Sequence, residues 1–193
     1  TLNMEMFCYQ CQETAFNEGC MKKGVCGKEA DTSALMDLLL YITRGVAIIN
    51  KQLRDKGEAN VEADRFILDA LFCTITNANF DNDSLKKRID KAFDWRDQLC
   101  GTAKKRGIDI PEFEEIMFYS KPDKYSEYKV MTSPLSDENN DIRGLKQLAL
   151  FGVKGAAAYT YHALNLGLED DDIYVMIENT LKEISCKDAD AEK

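Results

Sequence analysis

At 193 residues the chain is one large domain or two small ones, long enough to bury roughly 70% of its unfolded surface. Its 34 acidic against 25 basic side chains leave a formal net charge of −9, which argues against nucleic acid as a partner because phosphate binding needs concentrated Lys and Arg. No apolar run of roughly 18 residues stands out as a membrane span, so no membrane is expected either.

Thr1-Leu2-Asn3 do not resemble a targeting segment, and Met4 or Met6 is the expected natural start. The first landmark is a run of thiols at Cys8, Cys11, Cys20 and Cys26, spaced C-x2-C-x8-C-x5-C. Thiolates are soft anionic ligands, and four suit either tetrahedral zinc or a cubane iron–sulfur cluster. Two disulfides are a third reading, disfavoured by the lack of a secretion signal and by the reducing, cytoplasmic setting this implies. Zinc ribbons show two short knuckles, whereas Cys20-x5-Cys26 is too open for one. Gly19, Gly24 and Gly27 would let the backbone approach a bulky cluster and aim N–H groups at its sulfurs. Phe7, Tyr9, Phe16 and Val25 would supply an apolar shield. On spacing alone, cluster and zinc both stay open.

A first long helix is expected from an N-cap at Ser33 to a C′ residue at Gly57, its stripe being Leu35, Leu38, Leu39, Ile42, Val46, Ile49 and Leu53. Leu40, Tyr41, Ala47 and Ile48 widen that face, so the helix should be buried on more than one side. A second helix should begin near Asn60 and run through Phe66, Ala70 and Ile75. A third should start around Asp83 or Ser84, carry Leu85, Ile89, Phe93, Trp95 and Leu99, and stop at Gly107, completing an antiparallel bundle. Pro111 reads as the first residue of a short helix with Glu112, Glu114 and Glu115 in its opening turn, and Tyr119 to Ser136 reads as a loop.

Beyond the loop the pattern repeats. Leu35, Leu38, Leu40, Arg44, Gly45, Ala47 and Gly57 align without a gap with Leu145, Leu148, Leu150, Lys154, Gly155, Ala157 and Gly167, each 110 residues on. A further helix is expected from Asp170 or Asp171 to about Ser185. The fold class is therefore all-α: a cysteine-rich segment (1–33), a three-helix bundle (34–107), and a connection with a second, incomplete bundle (108–193). The exposed face of that second bundle would bind a downstream region or another copy of the chain. Gly45 and Gly155 are attributed to close helix–helix approach. Cys73, Cys100, Cys186 and Trp95 are given core or surface roles, and so is His162, the one histidine. The acidic clusters at 81–83 and 137–141 lack an EF-hand's glycine and glutamate and read as caps and turns.

The stretch Met6-Phe7-Cys8-Tyr9-Gln10-Cys11-Gln12-Glu13-Thr14-Ala15, with Gly19-Cys20 and Lys23-Gly24-Val25-Cys26-Gly27-Lys28, resembles the opening of the hybrid cluster (prismane) proteins, known as hydroxylamine reductases. The likeness continues through Asp37-Leu38-Leu39, Arg44-Gly45, Thr74-Ile75-Thr76-Asn77-Ala78-Asn79 and Gly152-Val153-Lys154-Gly155. It implies that Cys8, Cys11, Cys20 and Cys26 hold a [4Fe–4S] cluster that relays electrons from a soluble donor. Family members are much longer, and their hybrid Fe–S–O cluster is held by later domains, so those downstream domains become the expected partner. No catalytic residue is expected here. A helical interaction domain with structural zinc, or an iron–sulfur redox or nitric oxide sensor, remains the alternative.

Overall fold

The computed structural model describes residues 6–187 apart from 12, 76–79, 121–123 and 126–128. The expected start at Met4 and the motif residues Gln12 and Thr76 to Asn79 lie outside the described residues. The described chain is helical, with no strand beyond one isolated bridge in the cysteine segment.

Helix α1 (Ala30–Arg54) is the hub. It begins three residues before Ser33 and has no side-chain cap; Asp31 faces the positive end of its dipole. Ser33 is instead buried, and its hydroxyl donates to the Phe7 carbonyl at 3.4 Å, fastening the cysteine segment to the helix. Leu38, Leu39, Ile42, Val46, Ile49 and Leu53 are buried to the last atom. Each contributes about 1.5–3 kcal/mol before conformational entropy is charged against it. Contrary to the sequence expectation, α1 is long and apolar enough to cross a membrane, yet nearly all of that window is buried by its neighbours. Such all-round apolarity marks a helix at the centre of a core.

Helix α2 (Val61–Cys73) starts where expected, with the Asn60 side chain accepting from the N–H groups of Glu62 and Ala63. Helix α3 (Asn82–Arg106) is capped by Asp81 and ends at Gly107 in the left-handed region. The short helix α4 (Glu114–Met117) begins after Pro111, because Phe113 is extended and packs against the core. The stretch expected to be all loop contains a four-residue helix α5 (Lys129–Thr132) and a 3-10 turn at Pro134–Ser136. Helices α6 (Asn140–Asn165) and α7 (Asp171–Ser185) are capped by Asn139 and Asp170.

The 110-residue offset carries the starts of α1 and α2 onto those of α6 and α7, and Gly57 (φ 75°) onto Gly167 (φ 78°). α1 packs on α7 and α6 packs on α2. Under the offset these are one contact made twice, the pairing an internal two-fold produces. A single hydrophobic core runs through all the long helices. At its heart Arg54 binds Asp64 (2.5 Å) and Glu178 (2.8 Å), while Asn50 donates to both carboxylates at 2.9 Å, tying α1 to α2 and α7.

The two repeated glycines part company. A Cβ at Gly45 would meet the Glu115 carbonyl oxygen at 2.5 Å, so α4 lies directly on α1 there. At Gly155 nothing lies within 4 Å, so the close approach expected at both positions is found only at the first. The surrounding face of α6 carries exposed Leu145, Leu148 and Tyr159.

Candidate metal centre

The cysteine segment is held by backbone pairing. Cys8 and Cys20 exchange N–H···O bonds of 3.0 and 2.9 Å, and Met6 N–H reaches Met21 O at 3.2 Å. Thr14 locks the turn between them: its hydroxyl donates to Cys8 O at 3.1 Å and lies 3.6 Å from the Cys20 sulfur. A second turn, closed by Gly24 N–H to Lys28 O (2.8 Å) and Gly27 N–H to Gly24 O (2.8 Å), presents Cys26. A Cβ on Gly24 would crowd the Cys26 sulfur at 3.0 Å, so this glycine leaves room for that sulfur.

These turns bring Cys8, Cys11, Cys20 and Cys26 to the wall of one small pocket, with Thr14, Gly24 and Lys28 beside them. All seven cysteines of the chain are free thiols. Burial opposes ionisation of Cys20, but N–H groups of Ala15 and Val25, the Thr14 hydroxyl and the Lys28 charge outweigh it and lower the thiol's pKa. Burial pushes Cys8 up, partly offset by the Lys28 charge. The N–H donors at Cys20 thus come from Ala15 and Val25 rather than from the glycines. The expected shield is also smaller: Phe16 is 95% exposed on a left-handed turn (φ 56°) and Val25 points largely outward. Tyr9 instead stacks on Phe7 and meets Phe151 at a tilt, with centroids 6.4 and 6.1 Å away.

Under the thiols lies a layer of buried polar groups that sequence reasoning missed. Gln10, between the first two cysteines, donates to Asp37 Oδ1 at 2.5 Å and accepts from Lys28 Nζ at 3.4 Å. This chain joins both ends of the cysteine segment to α1. Lys154, from α6, reaches the same layer and donates to Thr74 O at 3.5 Å. Burial raises Asp37 to about 7 and lowers Lys154 to about 8, and each charge partly offsets the other's shift. A signal was available: both are charged residues set within apolar helical runs, where charges are almost never buried without a purpose.

The other candidates stay away from the pocket. Cys73 is buried, which pushes its thiol up to about 12, while Cys100 and Cys186 are partly exposed. His162 is exposed and meets Phe72 edge-on, and Trp95 packs half-buried against the core. Lys23, beside the third cysteine, is paired with Glu29 at 2.5 Å. Among the described residues no three His, Cys, Asp or Glu side chains are grouped as a single metal ion requires. A zinc ion with bonds of about 2.3 Å draws its four sulfurs to within roughly 4 Å of one another. The donor set itself, four thiols with N–H donors and buried lysines behind them, fits an anionic thiolate-bound metal group.

Residues 6–192 match the family model described as Prismane/CO dehydrogenase family. The chain is 43% identical over 186 residues to the hydroxylamine reductase of Porphyromonas gingivalis, covering 95% of this chain and 34% of that protein. It is 41% identical over 190 residues to the hydroxylamine reductase of Bacteroides thetaiotaomicron (98% and 34% covered), and 40% identical over 181 residues to that of Clostridium novyi (92% and 33%). The chain spans about a third of the length of the curated relatives it matches.

Proposed function

The chain belongs to the Prismane/CO dehydrogenase family, and from that premise we propose that it is the N-terminal electron-transfer part of a hydroxylamine-reductase-like protein. In this reading Cys8, Cys11, Cys20 and Cys26 hold a [4Fe–4S] cluster, and a hybrid cluster beyond this chain reduces hydroxylamine to ammonia and water. The observation that carries it is the meeting of all four thiols at one pocket. When bound, a cubane supplies one-electron exchange.

The protein's own part is to hold and insulate. The Cys8–Cys20 backbone bridge fixes two ligands, and the Gly24–Lys28 turn sets a third. N–H groups of Ala15 and Val25 favour the ionised Cys20 sulfur. The Asp37–Gln10–Lys28 chain keeps both arms of the segment on α1. Reducing hydroxylamine takes two electrons and two protons, so a one-electron relay must turn over twice per product. The partners in this reading are a soluble electron donor, which meets the exposed cysteine segment, and the downstream region, which covers the α6 face. The setting is cytoplasmic and reducing.

Oxygen-free reconstitution tests the proposal. Brown protein with about four iron and four sulfide per chain is expected. Colourless protein holding a single zinc would overturn it in favour of a structural zinc site. The isolated chain should not turn over hydroxylamine, and robust activity from it would overturn the relay reading.

A further inference from the structure

Two buried ammonium groups lie beneath the thiols with too few partners. Lys154 is 2% exposed, and among the described residues its hydrogen bonding amounts to one long donation, 3.5 Å, to Thr74 O at the C-terminal end of α2. Lys28 is 4% exposed and donates to Gln10 Oε1 at 3.4 Å. Among the described residues neither has a carboxylate within ion-pair distance. An ammonium group carries three donors, and burying it so poorly matched is strongly unfavourable unless negative charge faces it. Lys154 lies one turn past Leu150, which lines a cleft with Gln10 and Asp37, and Phe151, which packs on Tyr9 of the cysteine segment. The negative groups that can act on it are therefore Asp37, Cys8 and Cys73. Cys73 is held neutral by burial, which leaves Asp37 and the thiol-lined pocket. One carboxylate does not balance two ammonium groups, and four thiolates around an iron–sulfur core carry the missing negative charge.

We propose that the Lys154 ammonium is a built-in counter-charge for the cysteine-held cluster, a positioning residue sent across from α6 that holds the cluster's reduction potential up while Asp37 holds it down. This rests on the reading that Cys8, Cys11, Cys20 and Cys26 bind an iron–sulfur cluster. Reduction adds one electron and one unit of negative charge, with no bond made or broken. A nearby positive charge in a low-dielectric layer favours the reduced state, and a negative one disfavours it. The bland role for Lys154 is to cap α2, where a cation suits the negative end of the helix dipole. A cap alone would leave the potential unchanged when removed.

The test is an EPR-monitored redox titration of the reconstituted chain at pH 7.5, above the raised Asp37 value and below the lowered Lys154 value. Lys154→Met should move the midpoint to more negative potential and Asp37→Asn to more positive potential, at unchanged iron, sulfide and helix content. Opposite signs are what a loss of packing would not produce. Shifts of the same sign, or none, would overturn the inference and leave Lys154 a helix cap. If Lys154→Met does not fold, Lys154→Arg and Asp37→Asn decide: a midpoint retained in the first and raised in the second supports the counter-charge, and any other pair overturns it. Wild-type protein that takes up no iron and sulfide overturns the cluster reading itself, and this inference with it. Loaded wild type with unmoved variants overturns the inference alone.

Discussion

Alanine at Gly45 should destabilise the chain, and alanine at Gly155, its equivalent 110 residues on, should stabilise it. Both glycines sit inside long helices, where Ala is favoured by about 1 kcal/mol. At Gly155 nothing lies within 4 Å of the added methyl, so most of that gain should appear. At Gly45 the methyl would lie 2.5 Å from Glu115 O and 2.9 Å from its carbonyl carbon. These are backbone atoms that cannot rotate away, so α4 must back off α1. Overpacking of this kind costs about 1–3 kcal/mol. Moving α4 also loosens the Arg44–Glu115 ion pair (3.7 Å) and the edge-on contact of Tyr41 with Phe118 (5.6 Å), the latter worth about 0.5–1.5 kcal/mol. After the propensity gain the net loss at Gly45 is about 0.5–3.5 kcal/mol, a fall in Tm of roughly 1–14 °C at this chain length, whereas Gly155→Ala should gain roughly 1–4 °C. Thermal and urea melts followed by far-UV circular dichroism read both. A Gly45→Ala protein as stable as wild type would refute the close packing of α4 on α1. A matching loss at Gly155 would refute the open α6 face.

Three further outcomes are expected. Burial raises Asp37 to about 7 from an ordinary 3.8 and raises Glu178 above its ordinary 4.5, so between roughly pH 4.5 and 7 the native chain holds protons that the unfolded chain has released. Their stabilisation is present in full below the unfolded values and lost as pH rises through 7. The metal-free chain should therefore melt higher at pH 5.5 than at pH 8, and Asp37→Asn should flatten the difference; stability rising with pH across that window would contradict the assignment. Arg54→Met should cost about 3–5 kcal/mol in urea titrations, because it strands the carboxylates of Asp64 and Glu178 in the core, and a loss under 1 kcal/mol would show that they are not buried as a pair. Cys20→Ala should prevent stable cluster assembly yet keep the helix signal, since the long helices supply most of the buried area; collapse of that signal would mean the cysteine segment is integral to the core.

The helices were legible because their signals are local. Asn60, Asp81 and Asp170 are side-chain caps next to periodic apolar stripes, and Gly57, Gly107 and Gly167 turn left-handed where the stripes end. The four thiols declared themselves by spacing. Errors arose where tertiary contact overrides local preference. Ser33 looks like a cap but serves the Phe7 carbonyl, and Pro111 looks like a helix start but precedes Phe113, which the core draws into an extended form. The polar layer under the thiols was hidden for the same reason: Gln10, Lys28, Asp37 and Lys154 come from parts of the chain up to 144 positions apart (10 to 154), and only folding makes them neighbours.

The pairing of α1 with α7 has a consequence for biosynthesis. One flank of α1 is closed by α3, but the other waits for residues as late as Ser185 to leave the ribosome, some 131 positions after Arg54 (185 − 54). At about 5–20 residues per second that is a wait of roughly 7–26 s. Throughout it, a helix greasy enough for a lipid bilayer has one side unclothed. A nascent chain of this kind calls for a holding chaperone, and ribosome stalling between α3 and α7 should leave α1 its principal binding site.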